Sequence, residues 1–263
     1  MRKVEQLGRR TFLMSAGKGV FGLLSEVKFG LGARGLAVAL GGSSLATACS
    51  NPEAIQEAMD QGQMDPDLET AMYFQVATDF VNSYILIREN EVAIVDTGIP
   101  NNIDKFGDVI QTAGLGWDAV NHIIITHLHG DHVGGLGEVA AEANDATIYA
   151  GKVDVLGIDS PRPMEPLSDG DEVFGMQIIG TPGHTPGHIS VYDPQASFCV
   201  LGDAMVNVQG LSGPSSRFTA DMAEANESVK KIANLKFETA LFGHGDPIES
   251  GASDAIAALA ETL

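Results

Sequence analysis

Three histidines and an aspartate fall within six residues, His127-Leu128-His129-Gly130-Asp131-His132. The 263-residue chain has only seven histidines, so three of them crowded here is a local device and not a reflection of composition. Neutral imidazole and carboxylate are the donors that zinc and its neighbours take. The preceding run, His122-Ile123-Ile124-Ile125-Thr126, reads as a buried strand. Val133-Gly134-Gly135-Leu136 follows, with glycines where the backbone must turn. The cluster is therefore expected on the loop leaving the C-terminal end of a strand, where open α/β sheets place their sites. In such a loop His127 and His129 can point one way while Asp131 and His132 turn toward a second position. That leaves room for two metals.

Three further polar residues share one context. His184, Asp203 and His244 each follow a short apolar strand and each neighbours glycine, which lets the backbone approach an ion closely. Three strand-end loops thus deliver His, Asp and His toward one edge. Seven donors suit two metals, with Asp203 placed to bridge them. Two divalent ions, typically about 3.5–4 Å apart, lower the pKa of a bound water to about 7 and so supply a nucleophile at neutral pH. Asp131 is expected both to bind metal and to orient that nucleophile. No G-x-S-x-G, glycine-rich phosphate loop or dinucleotide fingerprint is present.

The ordered set resembles the metallo-β-lactamase superfamily. The motifs run in sequence: Asp96 in VDTG, the hexapeptide HLHGDH, PGHTPGH around His184, GD at Asp203 and GHG at His244. The likeness covers roughly 74–248. It implies that His127, His129 and His184 hold a first metal, that Asp131, His132 and His244 hold a second, and that Asp203 bridges. Asp96 and His188 would support ligands without binding metal. The resemblance implies an α+β fold, an αββα sandwich of two mixed sheets flanked by helices, with two divalent ions, zinc first and iron or manganese next, in a cleft along one edge. True β-lactamases of the superfamily carry Cys or Ser where Asp203 stands, so Asp203 tilts the expectation toward the lactonase, glyoxalase-II-like and phosphotriesterase-like branches. The expected activity is hydrolysis of an ester, lactone, thioester or amide. The alternatives are a single-iron oxidoreductase of the same fold acting on a thiol-derived substrate, and a true β-lactamase.

The elements that must carry these residues alternate along the chain. Strands are expected over 71–78, 80–88 and 91–96, then a helix over 101–112 with Ile103, Phe106, Val109 and Ile110 on one face. After the strand 122–126 come a helix over 136–144, a strand over 146–149 and a proline-rich acidic surface loop over 159–171. Residues 173–180 read as two short strands or a bent hairpin. Strands follow at 189–192 and 198–201, then an irregular loop over 206–218. A helix over 219–235 has Thr219 as its expected N-cap. A strand at 239–242 and a helix at 253–263 close the chain. Met205, Val206, Leu211 and Phe218 could form an apolar cleft wall, and Arg217 a weak contact for a substrate carboxylate. His122 is expected to be half-buried and hydrogen-bonded.

The composition is acidic, with 15 Lys and Arg against 35 Asp and Glu. Seven of the basic but only two of the acidic residues lie in the first 48. The remaining body repels phosphate backbones, which argues against a nucleic-acid partner and for a small-molecule substrate. Gly8-Arg9-Arg10-Thr11-Phe12-Leu13-Met14 resembles a twin-arginine export signal. Ala46-Thr47-Ala48-Cys49 fits an A-x-A cleavage site and resembles a lipobox whose Cys49 takes a lipid anchor. The expected organisation is an export signal over 1–48, a tether or N-terminal extension over 49–70, and a hydrolase domain over 71–263. The expected location is the periplasm, cell envelope or medium. Cys199 sits in an apolar run and reads as a core residue. Nothing in the sequence bears on oligomeric state.

Overall fold

Successive side chains of a strand point to opposite faces, so a strand apolar at every position is buried on both. This holds for the central strands. In β3 (Val81–Arg88) and β4 (Glu91–Val95), Ile85, Ile87, Val92 and Ile94 enter one cluster while Tyr84, Leu86, Ala93 and Val95 enter another. β11 (Phe198–Gly202) behaves likewise: Phe198 and Val200 face one side, Cys199 and Leu201 the other. Two sheets with three apolar layers follow from that alternation.

The computed structural model describes residues 28–31 and 71–263. The twin-arginine motif, Cys49 and the tether over 49–70 lie outside the described residues. Within the stretch read as an export signal, Lys28–Leu31 forms β1, antiparallel to β2 (Met72–Thr78). The first sheet has seven strands in the order β1-β2-β3-β4-β5-β6-β7, with β5 Val120–Ile125, β6 Thr147–Gly151 and β7 Met164–Leu167. The pairs from β1 to β4 are antiparallel, and those from β4 to β7 parallel. The second sheet runs β12-β11-β10-β9-β8, with β8 Glu172–Val173, β9 Met176–Gly180, β10 Ile189–Asp193 and β12 Thr239–Phe242.

Helices α1 (Ile103–Thr112) and α3 (Leu136–Glu142) cover the outer face of the first sheet through Phe106, Val109, Ile110, Leu136 and Val139. Helices α4 (Met222–Ile232) and α5 (Ala252–Ala260) cover the second through Val229, Ile232 and Ile256. The αββα arrangement is as expected. No helix among the described residues is long and apolar enough to cross a membrane.

Two expectations need correction. The stretch 159–171 is not all loop, because β7 pairs in parallel with β6 there. Pro166 hid it, yet proline is tolerated on an edge strand, and Arg162 ties this segment to the end of α3 through the carbonyls of Ala140, Ala143, Asn144 and Ala146. The helix expected from Thr219 begins at Met222. Its cap is Asp221, whose Oδ1 accepts from the backbone N–H groups of Ala223 and Glu224.

Candidate metal centre

β5 ends at Ile125, and the chain then enters the hexapeptide. Its second half is a helical turn, α2 (Gly130–Val133), with the N–H groups of His132 and Val133 on the His129 carbonyl. The extended half directs His127 and His129 one way, and the turn rotates Asp131 and His132 to another. His184 arrives after β9, Asp203 after β11 and His244 after β12. Seven donors on four segments meet at one edge of the sandwich.

Their ligand atoms form overlapping groups. His127, His129 and His184 make one, Asp131, His132 and His244 a second, and His127, His132 and Asp203 a third between them; each could hold a cation. His129 Nδ1 lies 3.1 Å from His127 Nε2 and 2.9 Å from His184 Nε2. Nitrogens about 2.0–2.1 Å from a common tetrahedral ion stand about 3.3 Å apart, so the three imidazoles fit one. Asp203 reaches both sides: Oδ2 is 3.5 Å from His184 Nε2 and 3.2 Å from His244 Nε2, and Oδ1 is 3.3 Å from His132 Nε2. His132 Nε2 and Asp203 Oδ1 are fully buried, yet neither makes an aligned hydrogen bond. Orphaned buried atoms of that kind want a partner, and a cation suits both.

The hydrogen-bond network sets the tautomers. Thr126 Oγ1 donates to Asp96 Oδ2 and so accepts from His127 Nδ1 at 3.0 Å. Thr219 Oγ1 donates to the Ser215 carbonyl and so accepts from His184 Nδ1 at 3.2 Å. His132 Nδ1 donates to Asp96 Oδ2 at 2.7 Å, and His244 Nδ1 donates to the Phe80 carbonyl at 2.8 Å. All four histidines thus turn Nε2 toward the cluster. His188 differs. Its Nε2 accepts from the Asp203 backbone N–H at 3.0 Å and its Nδ1 meets Thr181 Oγ1 at 2.8 Å. Both of its nitrogens are committed, so it steadies Asp203 and cannot itself be a ligand.

Electrostatics divide the cluster. Burial drives His127 well below the usual imidazole range, helped by His132 and His188. Burial takes His184 down to about 4 despite Asp203, and His188 down to about 3. Burial would also lower His132, but Asp96 and Asp203 outweigh it and push it up to about 10. His244 likewise rises to about 10, because Asp131 and Asp203 overcome burial. Asp203 is held well below the usual carboxylate range, with the His132 contact overcoming burial.

Two supporting carboxylates lie beneath. Asp96 accepts from the Thr126 N–H and hydroxyl as well as from His132. It adopts a left-handed conformation, φ 60°, which aspartate tolerates better than most residues. Asp154 was not singled out from sequence. It is fully buried and accepts from Leu128 N–H, Thr185 Oγ1 and Gly187 N–H. It thereby fastens the hexapeptide to the loop bearing His184. The available signal was a lone acid between Val153 and Val155 just past a strand. A side chain at Gly187 would collide with the Asp154 backbone, and one at Gly243 with Asp203 Oδ1, so both glycines are required by close approach.

Other expectations fare differently. Met205 is core, not cleft wall. Arg217 and Phe218 are exposed beside Thr219, with the guanidinium 5.2 Å from the Phe218 ring centroid. His122 is half-buried, but its Nδ1 has no hydrogen bond; it packs against Tyr149 and Phe174 instead. Cys199 is fully buried, as expected.

Comparison with known proteins agrees with this geometry. The profile of the metallo-beta-lactamase superfamily matches residues 76–244. A probable metallo-hydrolase of Bacillus subtilis, YflN, is 30% identical over 201 residues, covering 59% of this chain and 75% of that one. The hydroxyacylglutathione hydrolase of Vibrio parahaemolyticus is 31% identical over 170 residues, covering 62% of this chain and 61% of that one. Among solved structures, TTHA1623 in a di-iron-bound form is 27% identical, with a TM-score of 0.59 over 72% of this chain and 98% of that one. With the profile spanning well over half the sequence and the fold shared with that structure, the chain belongs to the metallo-beta-lactamase superfamily of metallo-hydrolases.

Proposed function

We propose that this chain is a dinuclear metal-dependent hydrolase that cleaves an ester, lactone, thioester or amide of a small molecule. One observation carries it: three imidazole nitrogens converge on one point, Asp131, His132 and His244 converge on another, and Asp203 touches both. His127, His129 and His184 would hold the first ion, the other three the second, and Asp203 would bridge. When bound, such a pair supplies Lewis acidity and a water that ionises near neutral pH.

The chain's own groups do the rest. Asp131 is the more exposed of the two carboxylates in the cluster, so it can accept a hydrogen bond from the attacking water and orient it. The Nδ1–H groups of His127, His132, His184 and His244 are each tied to a fixed acceptor, which keeps every Nε2 aimed inward. Zinc is the proposed metal, since imidazole and carboxylate suit it; iron is its competitor, given the di-iron form of a relative. A single-iron oxidoreductase would leave Asp131 and His244 without a role. The hydroxyacylglutathione hydrolase relative supports acyl transfer to water over redox chemistry. On its N-terminal motif the protein is proposed to be exported, which mass measurement of the mature chain tests.

Metal analysis followed by an ester, lactone and thioester panel tests the activity. Two metal ions per chain and turnover that vanishes in the His127→Ala/His129→Ala protein are expected. Turnover no greater than that control, with every metal tried, sinks the proposal.

A further inference from the structure

Six large apolar side chains are markedly exposed among the described residues, and five of them stand on segments that hold the metal centre. Phe80 gives its carbonyl to His244 Nδ1, and its ring stacks on the His244 ring at 5.9 Å and 6°. Val208 follows Asn207, whose N–H bonds the His244 carbonyl. Phe218 precedes Thr219, the acceptor for His184 Nδ1. Val153 and Leu156 flank Asp154, which holds Leu128 between two ligands. All five are more than half exposed.

Scattered single apolar residues on a surface need no explanation, but a set gathered around one site does. Nothing in the fold asks for these five. None belongs to the three core clusters, and polar residues there would leave every hydrogen bond above intact, since Phe80 serves through its backbone. The set stands on three segments bonded to the cluster's own, one at His244, one at His184 and one at the His127–His129 segment. A polar centre ringed by apolar groups matches a substrate with a polar reacting group and an apolar remainder. Lys152 adjoins Val153 in the chain, and the Arg217 guanidinium lies over Phe218.

The geometry points to an acyl or alkyl chain of several carbons as the part of the substrate that this rim receives. This rests on the hydrolase reading for the bond that is cut, but its test does not need catalysis. Straight-chain alkyl hydroxamates of two to eight carbons bind metal centres through one constant head group. Their affinity for the zinc-loaded protein is measured by calorimetry. Each methylene fully removed from water tightens binding about fourfold; on a half-open rim about twofold is expected, or about 60-fold across the series. Phe80→Ser/Phe218→Ser should flatten that dependence, and circular dichroism checks its fold.

A wild-type series that is flat or falls with length, or shows no binding, overturns the proposal. So does a slope unchanged in the variant. A dimer in sedimentation that disperses in the variant, together with a flat series, assigns the rim to a second copy of the chain and also overturns it. Loss of turnover on the ester panel with the slope intact would sink the hydrolase reading and leave the rim standing.

Discussion

The two halves of the cluster are built from the same side chain and behave oppositely. On the side of His127, His129 and His184 the donors are all imidazole, and burial keeps His127 and His184 neutral. On the other side burial is just as severe, but carboxylates intervene: Asp96 and Asp203 around His132, Asp131 and Asp203 around His244, each histidine pushed up to about 10. Histidine ionises according to its neighbours more than its depth. The first half therefore offers lone pairs at neutral pH. In the second half protons occupy the place a cation would take.

The largest effects come from breaking one half without the other. His127 belongs to two of the three ligand groups, as His132 does, so His127→Ala should cost both ions at least about 100-fold in affinity, beyond what loss of an outer partner costs. His244 belongs only to the second group. His244→Ala should leave one ion per chain. Mass spectrometry of the native protein counts them; two ions retained by His244→Ala would merge the halves into one site.

Proton linkage sharpens the contrast. A metal at the second position must displace the protons on His132 and His244. Those protons are bound in the metal-free fold up to about pH 10 and released on binding, so raising the pH favours binding. With two protons, affinity should rise about 100-fold per pH unit between pH 7 and 8. At the first position His184, at about 4, and His127 have already lost theirs, so the change there should be small. Zinc titrations at the two pH values, in buffers of differing ionisation enthalpy, read both the affinity and the protons released. Equal pH slopes for the two ions would erase the distinction.

Beneath each half lies one buried aspartate, and these separate the supports. Asp96 serves His132 directly, and His127 only through Thr126. Asp154 fastens the first-half loops alone. Asp96→Asn should weaken the second ion by about 10- to 100-fold and release about one proton fewer, because His132 loses the charge that raises it. Asp154→Ala strands two buried donors and a partly buried third and should cost roughly 3 kcal/mol of stability, with the first ion weakened more than the second. Denaturant melts and metal titrations of the two variants check this.

These supports also mark where the sequence stopped being readable. The hexapeptide and the loops of His184, Asp203 and His244 stand out because each puts a scarce donor beside glycine at the end of an apolar run. The central strands were legible because they are apolar on both faces, and the sandwich that stacks them was implied by the resemblance the motifs carry. Asp154, Thr126, Thr181 and Thr219 gave little sign of their roles. Their partners lie across folded loops, and a hydroxyl or carboxylate has no periodicity to betray it. Thr219 reads locally as a helix cap, and only the fold shows Asp221 in that place and Thr219 beneath His184. β7 was hidden by Pro166, since edge position is a property of the sheet.

The smallest effect is expected at the other end of β5, and it is a control for all the rest. His122 lies within β5 and His127 two residues past its end, yet only His127 meets converging loops. His122 lines a cleft of about 350 Å³ with Arg88, Glu89, Glu91, Phe174 and Gly175, and burial lowers its pKa although Glu91 opposes. His122→Phe removes a nitrogen that has no hydrogen bond and keeps the ring between Tyr149 and Phe174. Metal content and turnover should be unchanged, and stability at pH 7.5 should move by less than about 1 kcal/mol. Because the folded pKa lies below the unfolded one, the native histidine costs stability as pH falls through 6.5, whereas phenylalanine does not. The variant should therefore gain on the wild type in melts at pH 5 relative to pH 7.5. Loss of either ion from His122→Phe would mean that β5 transmits its packing to the cluster, and that donor convergence alone does not define the site.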